Sequence, residues 1–208
     1  MPAGVVMVEE NRVAVAGERK MQILQVLASM LEAPVASKIT TAALAERLQV
    51  SEAALYRHFA SKAQMFDGLI EFIEQSVFSL VNRILSSHES GLKQTEAIFQ
   101  LLLGFAQTNP GMTRVLIGEA LVHENERLQA RINQFHDRLE ASLRQSLRIA
   151  VTQGETAVDP ALGAAMLLSA VTGQWQMFVR SQFRRKLADD SVGLWLVLQD
   201  GLRTRSVT

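Results

Sequence analysis

Apolar residues recur at helical spacing along almost the whole of this 208-residue chain. Between residues 126 and 153 they fall three or four positions apart, at Leu128, Ile132, Phe135, Leu139, Leu143 and Leu147. Apolar side chains at this spacing share one face of an α-helix, which buries that face against its neighbours. No stretch has the two-residue alternation of a half-buried strand. The pattern therefore predicts an all-α fold.

Breaks in the periodic pattern divide it into about nine helices. The predicted helices cover about residues 18–32, 41–48, 52–58, 62–85, 93–107, 112–122, 126–153, 160–185 and 190–203. We expect a mobile tail at residues 1–15, a small helix-turn-helix unit at 16–62 and a helical body at 63–208 that dimerises and binds a partner.

Several classes of protein are excluded by what the sequence lacks. The chain has no cysteine, which excludes disulfides and thiolate metal sites and fits a reducing compartment. Its four histidines lack metal-ligand spacing, and no nucleophile elbow or phosphate-binding glycine loop is present. We therefore expect no metal, no cofactor and no enzymatic activity. No run of about 18 apolar residues and no signal peptide occurs, which indicates a cytoplasmic protein without a membrane span.

The balanced net charge hides an uneven distribution. The chain has 21 basic and 21 acidic residues, but residues 12–62 contain seven basic and four acidic ones, an excess of +3. The rest of the chain therefore carries −3. A basic N-terminal region is a modest indication of nucleic-acid binding.

Residues 40–59 predict two short helices separated by a three-residue turn. Ala45 supplies the small side chain that two crossing helices need, and Val50 and Leu55 form an apolar wedge behind the turn. Because such short helices are unstable alone, they must pack together, and the pair predicts a helix-turn-helix with its second helix available to a major groove. On spacing alone, the segment also fits a helical protein that does not bind DNA.

The expected DNA contacts divide into two sets. Hydroxyl and basic groups at the helix ends should contact phosphates, which set register: Thr40, Thr41, Tyr56, Arg57, His58 and Lys62. The residues nearest the base edges are Ser51, Glu52 and Ala53. Because these three are small or acidic, we expect few bidentate base contacts and a contribution from DNA shape and water.

The run Leu-Tyr-Arg-His-Phe-Ala-Ser-Lys at residues 55–62 resembles the segment that follows the recognition helix in the TetR family of bacterial regulators. The nine-helix pattern matches that family over about residues 18–203. The resemblance implies DNA binding by a homodimer formed by the last two helices, with recognition helices about 34 Å apart on one duplex face. It also implies an N-terminal arm, for which Arg19 and Lys20 are the candidates. Gln49 stands where the family has a turn glycine.

A closer resemblance, to one group within this family, runs through both units. It continues at residues 65–67, 69–74, 101–105, 109–111, 127–129, 131–134 and 178–181. Proteins of this group bind short palindromic chromosomal sites and, when bound, engage the C-terminal tail of FtsZ and prevent division over the nucleoid. The resemblance implies the same partners and a nucleoid-associated location. It also implies a tail-binding groove between helices four and five, lined by Phe72, Leu101, Gly104 and Asn109. Leu80 and Thr108 occupy positions where related sequences can carry arginine.

Three features have more than one interpretation. Phe72 lies at the edge of its helix's apolar stripe, where an aromatic residue either packs on a neighbouring helix or binds a partner. A ligand-responsive repressor is the alternative function, with Arg114 and Glu119 as the suggested polar pair of an effector cavity. The basic cluster Arg180, Arg184, Arg185 and Lys186 is typical of a solvated helix end, with phosphate contact as the alternative.

Overall fold

The computed structural model describes residues 3–33, 39–122 and 124–202, and within these ranges it contains helices and no strand. Of residues 3–16 it describes the backbone alone. The α-helices in these ranges are α1 (Ala3–Met30), α2 (Thr41–Arg47), α3 (Glu52–Tyr56), α4 (Lys62–Ser87), α5 (Gly91–Thr108), α6 (Pro110–Leu116), α7 (Glu126–Thr152), α8 (Pro160–Arg180) and α9 (Leu187–Leu202). A 3-10 turn at Glu119–Leu121 follows α6. The predicted all-α architecture is therefore confirmed.

The helix-period apolar positions form the core of the body. On α7 the six predicted residues are each at most 2% exposed: Leu128, Ile132, Phe135, Leu139, Leu143 and Leu147. Trp175 and Trp195 are buried as well, and Trp175 Nε1 donates to the carbonyl oxygen of Leu102 at 3.1 Å. The indole therefore buries a large apolar area without leaving its N–H group unpaired.

The long helices run back and forth between two ends of the body. α7 begins beside the start of α4, where Lys62 is ion-paired with Glu124. It ends beside the start of α5, where Gln153 Oε1 accepts a hydrogen bond from Gly91 N at 2.9 Å. α8 then runs back, and α9 returns to the far end, where the Thr156 hydroxyl donates to its last turn. The turn between α8 and α9 therefore lies at the same end of the body as the start of α4.

Glycines move two helix ends away from their predicted positions. α5 begins at Gly91 rather than at residue 93, because a Cβ at Gly91 would lie 2.2 Å from the backbone nitrogen of Ala150 and only glycine allows this approach to α7. The helix predicted over 112–122 begins at Pro110 and ends at Leu116, since the left-handed φ of 78° at Gly118 breaks it before the 3-10 turn.

Other helix ends also differ from the sequence prediction. α1 begins at Ala3 instead of residue 18, so the backbone of most of the expected tail is helical. α8 ends at Arg180 instead of residue 185, because Gln182 and Phe183 have left-handed φ values of 55° and 63°. α9 begins at Leu187, and its predicted last residue, Arg203, lies outside the described residues. The mobility of residues 1–15 and the boundaries 16–62 and 63–208 stay predictions.

α6 joins the small N-terminal unit to the body. The Arg114 side chain is 4% exposed, and its Nη1 donates to the carbonyl oxygens of Leu31 and Ala33, each at 2.8 Å. A Cβ at Gly111 would lie 1.9 Å from the carbonyl oxygen of Ala28, so α6 packs directly on the α1 backbone. We refer to these contacts as the α1–α6 joint.

Apolar side chains remain exposed on α8 and α9. Leu162 is 68% exposed and Val197 is 74% exposed, with Val192 and Leu196 also exposed on α9. Among the described helices α8 alone has the length and apolar composition of a membrane span. This is weak evidence for a span, because α8 packs against α5, α7 and α9 as a core helix does. Large apolar side chains exposed on two packed helices are candidates for contact with another protein.

His136 on α7 is a mostly buried ring whose Nε2 has no hydrogen-bond partner among the described residues. It lies against Trp175, with ring centroids 6.0 Å apart. Burial lowers the pKa of His136 below its usual 6.5, and the nearby carboxylate of Asp137 opposes this shift in part. The neutral ring is therefore the form that the folded protein favours.

Acidification below about pH 6.5 is expected to lower the free energy of unfolding, because the unfolded chain then binds the His136 proton more readily than the folded chain. The stability that the neutral His136 ring contributes is fully present above pH 6.5 and is lost as the pH falls below it. His136→Gln, which does not titrate, should flatten this part of the pH dependence. Urea unfolding at several pH values measures it. The exposed His88→Gln is the matched control, and equal pH slopes for both variants would contradict the prediction.

Candidate nucleic-acid interface

α2, the turn and α3 form the predicted helix-turn-helix, and each helix has its own N-cap. The Thr40 side chain accepts a hydrogen bond from Ala43 N at 3.2 Å, and the Ser51 side chain accepts one from Ala54 N at 3.3 Å. Such caps satisfy N–H groups that have no partner within a short helix. These caps therefore define where α2 and α3 begin.

The turn closes at Gln49, whose φ of 56° is left-handed. The N–H groups of Gln49 and Val50 donate to the carbonyl oxygens of Glu46 and Ala45 at 2.9 and 3.0 Å. These two bonds form a Schellman motif, which offsets the cost of about 1 kcal/mol for a left-handed residue other than glycine. The turn is therefore complete although it lacks the glycine of the TetR family.

A polar cluster on the solvent side joins α2 to α3. The Thr41 hydroxyl donates to Glu52 Oε2 at 2.5 Å, and the Tyr56 hydroxyl donates to Thr41 Oγ1 at 3.4 Å. Tyr56 is 45% exposed, and Thr40 is the residue that precedes Thr41 in the sequence. The structure thus brings Thr40, Thr41, Glu52 and Tyr56 of the predicted contact residues together at one surface. The Thr40 and Tyr56 hydroxyl groups are suited to donate to phosphate oxygens.

Tyr56→Phe is expected to weaken DNA binding by about 2- to 10-fold, since it removes one neutral hydrogen-bond donor. The loss should be the same on specific and unrelated duplexes, because a phosphate contact carries no sequence information. Fluorescence anisotropy with both duplexes measures it. Folding should be unaffected, since the hydroxyl's one bond in the described residues is the long contact to Thr41. A loss confined to the specific duplex would contradict the phosphate assignment.

The basic residues expected to contact phosphates have different surroundings. Lys20 Nζ lies over the Phe59 ring, 5.8 Å from its centroid, so α1 holds this cation beside the segment that follows α3. Arg19 is hydrogen-bonded within α1. Arg57 is exposed at the end of α3 and His58 is half-buried in the turn that follows. These four residues surround the recognition helix but do not form one cluster with the hydroxyl groups.

Lys62 has an acidic partner that the sequence does not reveal. Its ammonium group is ion-paired with Glu124, 62 residues further along the chain, and lies 5.6 Å from the centroid of the Phe66 ring. A phosphate contact at Lys62 therefore requires DNA to replace Glu124. No local pattern could indicate this pair, because the two residues meet only after α7 has packed beside α4.

The base-edge residues offer few groups for direct readout. Ser51, Glu52 and Ala53 are all exposed. The Ser51 hydroxyl oxygen is used as a cap, and the Glu52 carboxylate accepts the Thr41 hydroxyl. Ala53 presents only a methyl group. Sequence selection through DNA shape therefore stays the expectation.

The four residues predicted to bind a partner lie on α4, α5 and the residue after α5. Phe72 and Leu101 are half-buried and pack against the core, so part of each side chain is accessible. A Cβ built at Gly104 would meet nothing within 4 Å. Asn109 uses its side chain inside the fold, with Nδ2 donating to the carbonyl oxygen of Phe105 at 2.8 Å. The accessible parts of the Phe72 and Leu101 side chains and the open space at Gly104 are therefore available to a partner.

The interpretation of Arg114 and Glu119 as an effector site is wrong. Arg114 Nε lies 3.1 Å from Glu119 Oε1. The same guanidinium group donates to the carbonyl oxygen of Leu31 and lies over the Phe183 ring, so it is used inside the fold. Four aromatic side chains of α5, α7 and α8 are at most 1% exposed: Phe99, Phe135, Trp175 and Phe178. In the described part of the chain no group of three or more His, Cys, Asp or Glu side chains could hold a metal ion.

Two family models match the chain. The model described as bacterial regulatory proteins, tetR family, matches residues 36–69, and the SlmA-like model described as tetracyclin repressor-like, C-terminal domain, matches residues 89–203. The first match covers the helix-turn-helix, and the second covers α5 to α9 with the joint helix α6. α1 and most of α4 lie outside both matched segments.

Curated relatives are similar over most of the chain. The nucleoid occlusion factor SlmA of Vibrio cholerae serotype O1 is 54% identical over 169 residues, which are 80% of this chain and 86% of the relative. SlmA of Aliivibrio fischeri strain MJ11 is 49% identical over 183 residues, 86% of this chain and 93% of the relative. SlmA of Marinomonas sp. strain MWYL1 is 47% identical over 190 residues, 89% of this chain and 95% of the relative.

Solved structures share the fold at low identity. The transcriptional regulator FadR from Bacillus subtilis, in complex with stearoyl-CoA, has a TM-score of 0.72 at 15% identity, over 88% of this chain and 99% of that one. The TetR-family regulator PfmR from Thermus thermophilus has a TM-score of 0.74 at 21% identity, over 88% of this chain and 99% of that one. At this identity the likeness shows the fold alone.

Proposed function

The chain belongs to the TetR family and, within it, to the nucleoid occlusion factors named SlmA, and from this membership we propose that it blocks FtsZ-ring assembly over the chromosome while bound to DNA. The observation that carries the proposal is that the identity to SlmA relatives extends through both the helix-turn-helix and the helical body. The proposed place of action is the cytoplasm, at the nucleoid.

The proposed form on DNA is a homodimer on a palindromic site. The family binds DNA through the helix-turn-helix, which here carries the Thr40, Thr41 and Tyr56 hydroxyl groups on one surface. A dimer contact through α8 and α9 would bury Leu162, Val192, Leu196 and Val197, which are exposed in the single chain. A two-fold axis along these helices sets two recognition helices about 34 Å apart, one helical turn of DNA.

The proposed partner site is the surface between α4 and α5. Phe72 and Leu101 supply accessible apolar edges, and the open space at Gly104 lets an extended peptide approach the α5 backbone. Leu80 and Thr108 are uncharged, and the Thr108 hydroxyl donates to the carbonyl oxygen of Gly104. Apolar contact, with little help from charge, would therefore supply the affinity for the FtsZ tail.

Gly104→Leu is the sharpest test of this site. No atom lies within 4 Å of the added Cβ, and leucine favours a helix over glycine by about 1 kcal/mol, so the variant should fold at least as stably as the parent. The added side chain would nevertheless fill the proposed peptide path. We expect at least about a 10-fold loss of affinity for a labelled FtsZ C-terminal peptide, measured by anisotropy with and without specific DNA.

Phe72→Ala should give the same loss, while Val151→Ala, an exposed apolar residue at the far end of α7, should have no effect. DNA affinity should be unchanged in all three variants. If Gly104→Leu and Phe72→Ala bind the peptide as the parent does, the groove assignment is wrong. If the parent does not bind the peptide even with DNA, the FtsZ proposal itself fails.

A further inference from the structure

The turn between α8 and α9 carries a dense positive charge. Residues 180–186 contain Arg180, Arg184, Arg185 and Lys186 and no acidic residue, and all four cationic side chains are exposed. Among the described residues only Lys186 of the four has an ion pair, with Asp189 at 3.5 Å. Three arginines therefore face solvent without an acidic partner, in a chain whose net charge is zero. We call these four residues the basic turn.

Local hydrogen bonds hold the basic turn in one conformation. Gln182 and Phe183 are consecutive left-handed residues, with φ values of 55° and 63°. The Ser181 hydroxyl accepts from the N–H groups of Arg184 and Arg185, each at 3.1 Å. The N–H groups of Gln182 and Phe183 donate to the carbonyl oxygens of Val179 and Phe178 at 2.9 and 3.0 Å, a Schellman motif like the one that ends α2. These bonds and the Ser181 contacts together hold the arginines in one arrangement.

Phe183 anchors the turn beside the small N-terminal unit. Its ring packs edge-on against Phe178, with centroids 5.3 Å apart, and lies 4.9 Å from the Arg114 guanidinium carbon. Arg114 in turn holds the carbonyl oxygens of Leu31 and Ala33 at the end of α1. The basic turn is therefore one side chain away from the unit that carries the helix-turn-helix.

The position of the turn in a dimer follows from the helix directions. α8 descends from the far end of the body and α9 returns to it, so the turn lies at the end that faces the helix-turn-helix units. In a homodimer through α8 and α9 the two basic turns would flank the two-fold axis, between the two recognition helices. The duplex segment between the half-sites passes this axis.

We propose that the basic turn is a second DNA-contact surface, which binds backbone phosphates at the centre of the palindromic site. The inference rests on the proposed homodimer. Unpaired arginine side chains match phosphate in charge and geometry, and they would raise affinity without adding sequence selectivity. The turn thus adds positive charge to that of the N-terminal unit, where Lys62 is paired with Glu124.

Salt dependence tests the proposal directly. Each phosphate contact adds about 0.9 to the slope of log affinity against log salt concentration, and Arg184→Gln/Arg185→Gln removes four arginines per dimer. We expect the slope to fall by about 2 to 4 and the affinity at low salt to fall at least about 10-fold, on specific and unrelated duplexes alike. Arg184→Lys/Arg185→Lys keeps the charge and should keep most of the slope.

The matched control is Arg144→Gln/Arg148→Gln, which removes the same charge from the far part of α7. Its salt slope should stay within about 0.5 of the parent's, because charges this far from the DNA are screened. Neutral methylphosphonate links at the centre of the duplex give a second readout. They should weaken binding of the parent but not of Arg184→Gln/Arg185→Gln.

Sedimentation equilibrium and thermal unfolding verify that each variant is a folded dimer. An unchanged salt slope in Arg184→Gln/Arg185→Gln overturns the proposal. So does a variant that binds DNA normally but has lost affinity for the FtsZ peptide, since the basic turn would then serve an acidic peptide. A parent protein that is monomeric, or that binds no DNA, contradicts the proposed function instead.

Discussion

Arg114→Met is expected to lower the free energy of unfolding by about 3 kcal/mol. The substitution keeps most of the side-chain volume but removes the donor shared by the carbonyl oxygens of Leu31 and Ala33. Buried acceptors that lose their partner cost about 1–3 kcal/mol each, and the stacking on Phe183 is lost as well. The measurement is denaturant unfolding at fixed protein concentration, because a dimer's stability depends on concentration.

Two further variants identify the source of this loss. Glu119 is 38% exposed, so Glu119→Gln should cost less than about 1 kcal/mol if the carbonyl contacts dominate. Arg114→Lys keeps the charge but cannot reproduce the planar guanidinium that both donates and stacks, and should be intermediate. If Glu119→Gln is as harmful as Arg114→Met, the ion pair, rather than the link to α1, stabilises the joint.

Gly111→Ala is expected to have a comparable effect, about 3 kcal/mol of destabilisation. Its Cβ would lie 1.9 Å from the carbonyl oxygen of Ala28 and 3.1 Å from the Cβ of Leu31, so α1 and α6 must move apart. Backbone atoms cannot change rotamer to relieve the clash as a flexible side chain can, so the clash lowers the stability of the fold. Because α1 carries Lys20 and supports α2, DNA affinity should fall with stability.

Gly104→Ala is the matched control, since it makes the same change in a neighbouring helix. There the added Cβ meets nothing within 4 Å, and the better helix propensity of alanine should raise stability by about 0.5 to 1 kcal/mol. If Gly111→Ala lowers the free energy of unfolding and Gly104→Ala raises it, close packing at the α1–α6 joint, rather than the loss of a glycine, causes the destabilisation. Equal small changes in the free energy of unfolding would contradict the close packing at the joint.

The joint has a consequence for DNA binding. Arg114 connects α1, through Phe183, to the α8–α9 turn that would lie beside the two-fold axis, and Gly111 packs α6 directly on α1. The position of α1 relative to the body therefore depends in part on these buried contacts. Weakening them should relax the preferred spacing between half-sites as well as lower stability.

The candidate site was predictable where its chemistry is local. Thr40, Ser51, Ser61 and Asp159 are residue types that favour N-caps, and each side chain accepts from an N–H group two or three residues further on. The left-handed residue at Gln49 was likewise implied by the turn's position in the resemblance. Such contacts depend only on neighbours in the chain, which the sequence contains directly.

The surroundings of the predicted side chains were not predictable in this way. Lys62 is predicted to contact a DNA phosphate, and the sequence does not indicate that its ammonium group pairs with Glu124, 62 residues away. Arg114 was assigned to an effector cavity, yet its acceptors at Leu31 and Ala33 are 83 and 81 residues away. Charge and size in the sequence indicate that such residues need partners but do not say which partners the packing will bring to them.

The sequence by itself determined that this chain is all-helical, with a helix-turn-helix near its N-terminus and a buried apolar face on each long helix, because a 3.6-residue period and local caps specify these features. Only the tertiary structure decided where α5 begins and α8 ends, which cations are paired, and that α6 joins α1 to the α8–α9 turn. The reason is physical: these features arise from backbones and side chains far apart in sequence, and they exist only once the helices have packed.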